Sequence, residues 1–138
     1  RIKSWLNPEG KLFIHIFCHQ KYPYFFEKEG HHNWMGRYFF TGGVMPSSDL
    51  FTYFQNDLSL EKQWWWDGKH YQKTAEAWLN QMDHKKDEIY PLLKTVYGNE
   101  NADCWFQRWR IFFMSCSELF GYKKGNEWGV SHYLFSQK

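Results

Sequence analysis

Two histidines, His15 and His19, interrupt the apolar run KLFIHIFCHQ at residues 11–20. An imidazole in the middle of such a strand either closes a hydrogen bond in a core or does chemistry, and both readings are open on these residues alone. Metal binding is the least supported chemistry. On a strand, residues four apart share a face but lie about 13 Å from each other, too far to hold one ion. Neither this pair nor His31-His32 falls into HExxH or another ligand spacing, so no metal site is expected. The three cysteines, Cys18, Cys104 and Cys116, form no CxxC. Their odd number argues against a disulfide scaffold or zinc ribbon and for a reducing compartment, expected to be the cytoplasm. Cys116 and Ser117 sit inside an apolar helical pattern and read as packing residues. No nucleophile elbow and no glycine-rich phosphate or dinucleotide loop is present. TGGVMPS has two glycines but follows no clean strand, and it reads as a lid turn.

The elements that must position these residues follow from periodicity and punctuation. Ile2, Trp5 and Leu6 keep helical spacing, and Asn7-Pro8-Glu9-Gly10 ends that element. The continuous run KLFIHIF then has the pattern of a strand covered on both faces by helices. Helix, turn and buried strand together point to a parallel α/β sheet. Residues 20–46 are aromatic and irregular, punctuated by Pro23, Gly30, Gly42-Gly43 and Pro46, as in an ordered functional lid. SSDLFTYFQND predicts a helix capped by Ser47 or Ser48. SLEKQWWWDGKHY predicts a strand ending at Asp67-Gly68. Ala75, Trp78, Leu79, Met82 and Ile89 mark a helix from Tyr71 to Tyr90, broken by Pro91. ADCWFQRWRIFFMSCSELFGY is a second helix with a broad apolar face, closed at Gly121. EWGVSHYLFSQK alternates like a final strand.

Composition sets the outer bounds. At 138 residues the chain suffices for one domain with a real core, and 22% of it is Phe, Trp or Tyr. That content can wall a deep apolar pocket. Seventeen Lys and Arg against 15 Asp and Glu give a net charge of +2, too balanced for a nucleic-acid or anionic-membrane binder. HKK at 84–86 and YKK at 122–124 read as solvated faces. No run approaches the ~20 apolar residues of a membrane span.

Six segments, LFIHIFCH, YFFTGGVMPS, YFQNDL, DGKHYQKTAEAWL, ELFGY and EWGVSHYLF, together resemble one family. It is that of cyclopropane fatty acid synthases and coclaurine-type N-methyltransferases, which use S-adenosylmethionine as methyl donor. The resemblance spans residues 1–138 and is nearer to the coclaurine-type branch in GGVMPS, YFQND, NEW and HYLF. It implies an α/β fold: the C-terminal half of a Rossmann-like class I methyltransferase sheet of order 3-2-1-4-5-7-6. Strands at 11–17, 60–66 and 127–135 would be its fifth, sixth and seventh, with residues 20–60 as a lid and substrate-pocket insertion. The N-terminal half, with the donor-binding loop and a Glu-x-x-Glu-His stretch, would lie upstream of Arg1. One edge of the fifth strand would then be bare.

The resemblance also implies roles. In the cyclopropane synthase branch, a His and a Tyr at the positions of His15 and Tyr71 hold a bound anion; such a pair can also remove a proton. RWRIFF is similar to an aromatic segment, YWRxFF, that lines the amine pocket, which places Trp109 and Phe112 in substrate binding and puts Arg108 where a tyrosine is usual. The implied acceptor is a small amine, with an unsaturated lipid chain as the alternative. A methyltransferase remnant acting as a structural or binding subunit is the reading from another class. A homodimer is compatible with each. The triple tryptophan at 64–66 has no counterpart in the pattern and no account beyond sheet packing.

Overall fold

A computed structural model describes residues 1–30 and 33–138. His31-His32 therefore lies outside the described residues. The centre of the fold is a three-stranded sheet of β1 (Lys11–His19), β4 (Leu58–Asp67) and β5 (Trp128–Gln137). Its order is β1-β5-β4, and β5 runs antiparallel to both neighbours. That is the 5-7-6 order and direction expected of the C-terminal half of the methyltransferase sheet. Between β1 and β4 lie a two-stranded ribbon, β2 (Tyr24–Phe25) with β3 (Val44–Met45), and a short helix α1 (Trp34–Tyr38). Three helices separate β4 from β5: α2 (Gly68–His84), α3 (Lys86–Tyr97) and α4 (Ala102–Gly121).

The two faces of the sheet are unlike. Leu12, Ile14, Ile16 and Cys18 share a face with Ser131, Tyr133 and Phe135 across the β1–β5 register. The insertion covers that face: Tyr133 is fully buried, packs on Phe51, and donates its hydroxyl to Ser48 O at 2.6 Å. On the other face Phe17 and His19 are covered, whereas Phe13 and His15 are exposed. The run KLFIHIF is thus not covered on both faces by the described residues, contrary to the sequence expectation. β1 is an edge strand, as the bare fifth-strand edge required.

Local differences from the sequence reading have physical causes. Residues 3–5 and 50–53 form single 3-10 turns rather than α-helices, and neither has a side-chain cap. The long helix breaks at Lys85, not at Pro91, which sits exposed inside α3. Leu93 from α3 joins Met82, Ala102 and Phe106 in a core cluster, so packing holds the helix through its proline. The reversal after α4 is made not at Gly121 but by Lys123, Lys124 and Gly125, all in the left-handed region. Asp67 ends β4 and caps α2 by accepting from Lys69 N at 2.9 Å. Gly68 is required there, since a Cβ would collide with the carbonyl oxygens of Phe120 and Trp128.

Candidate functional site

Tyr71 sits one turn into α2, and that tight junction of β4 and α2 aims it at α4. Its ring packs on Phe120, with centroids 4.6 Å apart, and meets Trp78 edge-on at 6.0 Å. Together with Phe17, Phe40, Phe112 and Cys116 it lines a small, partly enclosed apolar cavity of about 60 Å³. Burial, with the nearby Cys116 thiol second, raises the Tyr71 pKa. The phenol therefore stays protonated at neutral pH and is a hydrogen-bond donor rather than a base.

An aromatic groove of about 700 Å³ lies alongside, between α2, α3 and α4, and shares Trp78, Phe112 and Phe113 with the smaller cavity. Trp109 lines the groove while its ring also packs on the Met82–Leu93–Ala102–Phe106 cluster, so it is partly ordinary helix core. Phe112 stands between groove and cavity. Phe39, which caps α1, stacks on Phe112 at 4.4 Å and meets Trp109 edge-on at 4.9 Å. Arg108 holds the same segment down: its guanidinium lies 4.1 Å over Tyr38 and 4.8 Å over Trp105. The insertion and this face of α4 are thus one aromatic unit.

His15 is on the Phe17 face of β1, about 7 Å along the strand from it. It does not touch Tyr71. Its Nδ1 lies 2.7 Å from Nε2 of His132, its direct partner on β5, and His132 Nδ1 accepts the indole N–H of Trp66 at 3.0 Å. A β-bulge at Glu61 creates this contact. Pairing shifts by one residue between Leu60 and Lys62, which turns Trp64 and Trp66 onto the face of His132 and Trp65 onto the opposite one. Sequence reasoning missed His132 and the role of Trp66. The available signal was the period-2 placement of His132 in SHYLF, but its partner depends on the bulge.

His19 has a different setting. Buried at the end of β1, its Nδ1 accepts the N–H groups of Lys21 and Tyr22 at 2.9 and 2.8 Å, and its Nε2 lies 3.3 Å from Glu127. No group of three or more potential ligands suits a metal ion among the described residues. The cysteines are unpaired, and burial raises Cys18 and pushes Cys116 up to about 11, so neither is a nucleophile. No helix among the described residues is long and apolar enough to cross a membrane.

Comparison with known proteins bears on the fold and the family. The (S)-coclaurine N-methyltransferases of Thalictrum flavum subsp. glaucum and Papaver somniferum are 37% and 36% identical to the whole chain. The chain spans about 40% of the length of these curated relatives. A crystal structure of coclaurine N-methyltransferase bound to N-methylheliamine and SAH superimposes with a TM-score of 0.88 at 38% identity, over 99% of this chain and 40% of that one. The cyclopropane synthase MmaA2 from Mycobacterium tuberculosis shares the fold, with a TM-score of 0.71 at 15% identity, over 99% of this chain and 47% of that one. The family model of mycolic acid cyclopropane synthetase matches residues 1–128, and the chain belongs to that family.

Proposed function

We propose that this chain supplies the acceptor side of an S-adenosylmethionine-dependent methyltransferase that methylates a small amine. The observation that carries this reading is the aromatic wall of Trp78, Trp109, Phe112 and Phe113 along the groove, with Phe39 of the insertion packed on Trp109 and Phe112. A nitrogen being methylated develops positive charge, and an aromatic face stabilises such a cation by roughly 0.5–2 kcal/mol. The likeness to proteins named as N-methyltransferases, one of them bound to a methylated amine and SAH, supports the same class.

In this reading the methyl donor is held mostly by residues outside this chain. Among the described residues the two cavities are walled mainly by aromatic and aliphatic side chains, with Gln81 and Lys85 at the groove, and neither lining holds an acidic pair for ribose hydroxyls. The chain's contribution is instead to bind the acceptor, exclude water from it and orient it for in-line attack. Residues 20–60 act as the lid in this reading. Trp109 and Phe112 face the acceptor, while His15 and Tyr71 stand on the same side of the sheet. The unpaired thiols fit a reducing, cytoplasmic setting.

The test is transfer of a labelled methyl group from S-adenosylmethionine by the full-length protein, with coclaurine and an unsaturated phospholipid offered in parallel. Methylation of the amine nitrogen is expected. Labelled cyclopropane in the lipid, or no transfer to either, overturns the reading.

A further inference from the structure

The triple tryptophan acquires a purpose once the proton positions of the histidine pair are followed. An indole nitrogen only donates, so His132 Nδ1, which receives Trp66 Nε1–H at 3.0 Å, carries no proton. Neutral His132 must then carry its proton on Nε2. That nitrogen faces His15 Nδ1 at 2.7 Å, so His132 donates and His15 Nδ1 accepts. Neutral His15 in turn holds its own proton on Nε2. Each step is forced by the one before, and the first is fixed by a side chain with a single possible role.

We propose that Trp66 and His132 are positioning residues that lock His15 in its Nε2–H tautomer, so that the ring offers a hydrogen-bond donor to an oxygen of the bound acceptor. This rests on the reading of His15 as a site residue and deepens it, because it decides between the two roles open to that ring. A proton taken up by His15 would go to Nδ1, where it would meet His132 Nε2–H head-on. Relief would require moving the His132 proton to its Nδ1, where the Trp66 N–H already points. His15 is therefore a donor and not the base that deprotonates the amine. Tyr71, protonated by its burial, is a second donor on the same side of the sheet. The amine proton leaves to water or to a base other than these two.

Geometry adds a second support. The indole reaches His132 only because the bulge at Glu61 rotates Trp66 onto that face. Phe13 packs edge-on against the His132 ring at 5.1 Å, and His70 meets Trp66 edge-on at 6.0 Å, so both rings of the relay are braced from the side.

The experiment reads the tautomer itself. The full-length protein is labelled with nitrogen-15 histidine, and long-range proton–nitrogen spectra are recorded at neutral pH. The expected result is one tautomer of His15, with Nδ1 at the shift of a bare nitrogen and Nε2 at that of a protonated one. In Trp66→Phe, which keeps a ring but removes the N–H, the separation between the two His15 nitrogens should collapse toward their average. Trp66 is half-exposed, so the variant should fold; His132→Phe is the second variant and should release His15 in the same way. A native His15 protonated on Nδ1, or a full separation that survives either substitution, overturns the proposal. Because ring-nitrogen shifts and not turnover are read, this test can fail while methyl transfer stands, and the reverse.

Discussion

His15 and His19 lie four residues apart on one face of one strand, yet the molecule surrounds them in opposite ways. His19 has both nitrogens consumed locally: two backbone N–H groups enter Nδ1 and a carboxylate stands at Nε2. With the proton held on Nε2 and that edge turned to Glu127, the ring has nothing left to offer a substrate. It ties the end of β1 to the start of the insertion. His15 has one nitrogen engaged by a partner 117 residues away, and among the described residues its Nε2 meets no hydrogen-bond partner. The two rings share residue type, strand and sheet face. What separates them is how many ring nitrogens the fold has already used.

Stability should split the pair most strongly. His19→Ala strips a buried acceptor from two N–H groups and is expected to cost about 2–3 kcal/mol in a denaturant titration of the chain. His15→Ala, at an exposed position, should cost no more than about 1 kcal/mol. Equal losses would erase the distinction. Turnover of the full-length protein should split them the other way. His15→Phe removes one donated hydrogen bond, and kcat should fall about tenfold for ~1.4 kcal/mol. His15→Gln can donate from its amide nitrogen and should stay within about threefold of the native kcat. If the phenylalanine variant turns over normally, His15 belongs with His19 as a structural ring.

The fold was largely legible in the sequence and the site only in part, for a physical reason. The strands at 11–19, 58–67 and 128–137 declare themselves through local patterns, and their order followed from the family resemblance. Phe112 and Tyr71 were reachable because motifs mark them. The His15–His132–Trp66 chain was not, since it depends on strand register, and register turned on one bulged residue, Glu61. A one-residue slip moves every later side chain to the opposite face, so no reading of WWWD alone tells which tryptophans face His132. The helix break at Lys85 was hidden for a similar reason: Pro91 is the louder local signal, and packing of Leu93 overrides it.

The smallest effect, and the finest separation of the two histidines, lies in acid. Burial, with the charge of His15 second, lowers the His132 pKa below its ordinary 6.5. The groups facing that ring are His15 from β1 and Trp66 from β4, with His70 behind Trp66. Between the folded and unfolded values the unfolded chain binds a proton that the folded chain refuses. Stability from this group is thus present above 6.5 and lost as pH falls from there through the folded value. Beside His19 stands Glu127, whose pKa is lowered below 4.5 first by the hydrogen bond from Lys123 and further by that lysine's charge and by His19. Its contribution is present above 4.5 and lost only below that, through its depressed folded value. Two indole N–H groups report the two regions: Trp66 donates to His132, and Trp128 donates to Tyr24 at 2.9 Å while its ring packs on His19. On acidification the Trp66 N–H resonance should move first and the Trp128 resonance only in more acid solution. Simultaneous movement would mean that one cooperative unit holds both histidines, and the contrast between them would then lie in their partners but not in their local stability.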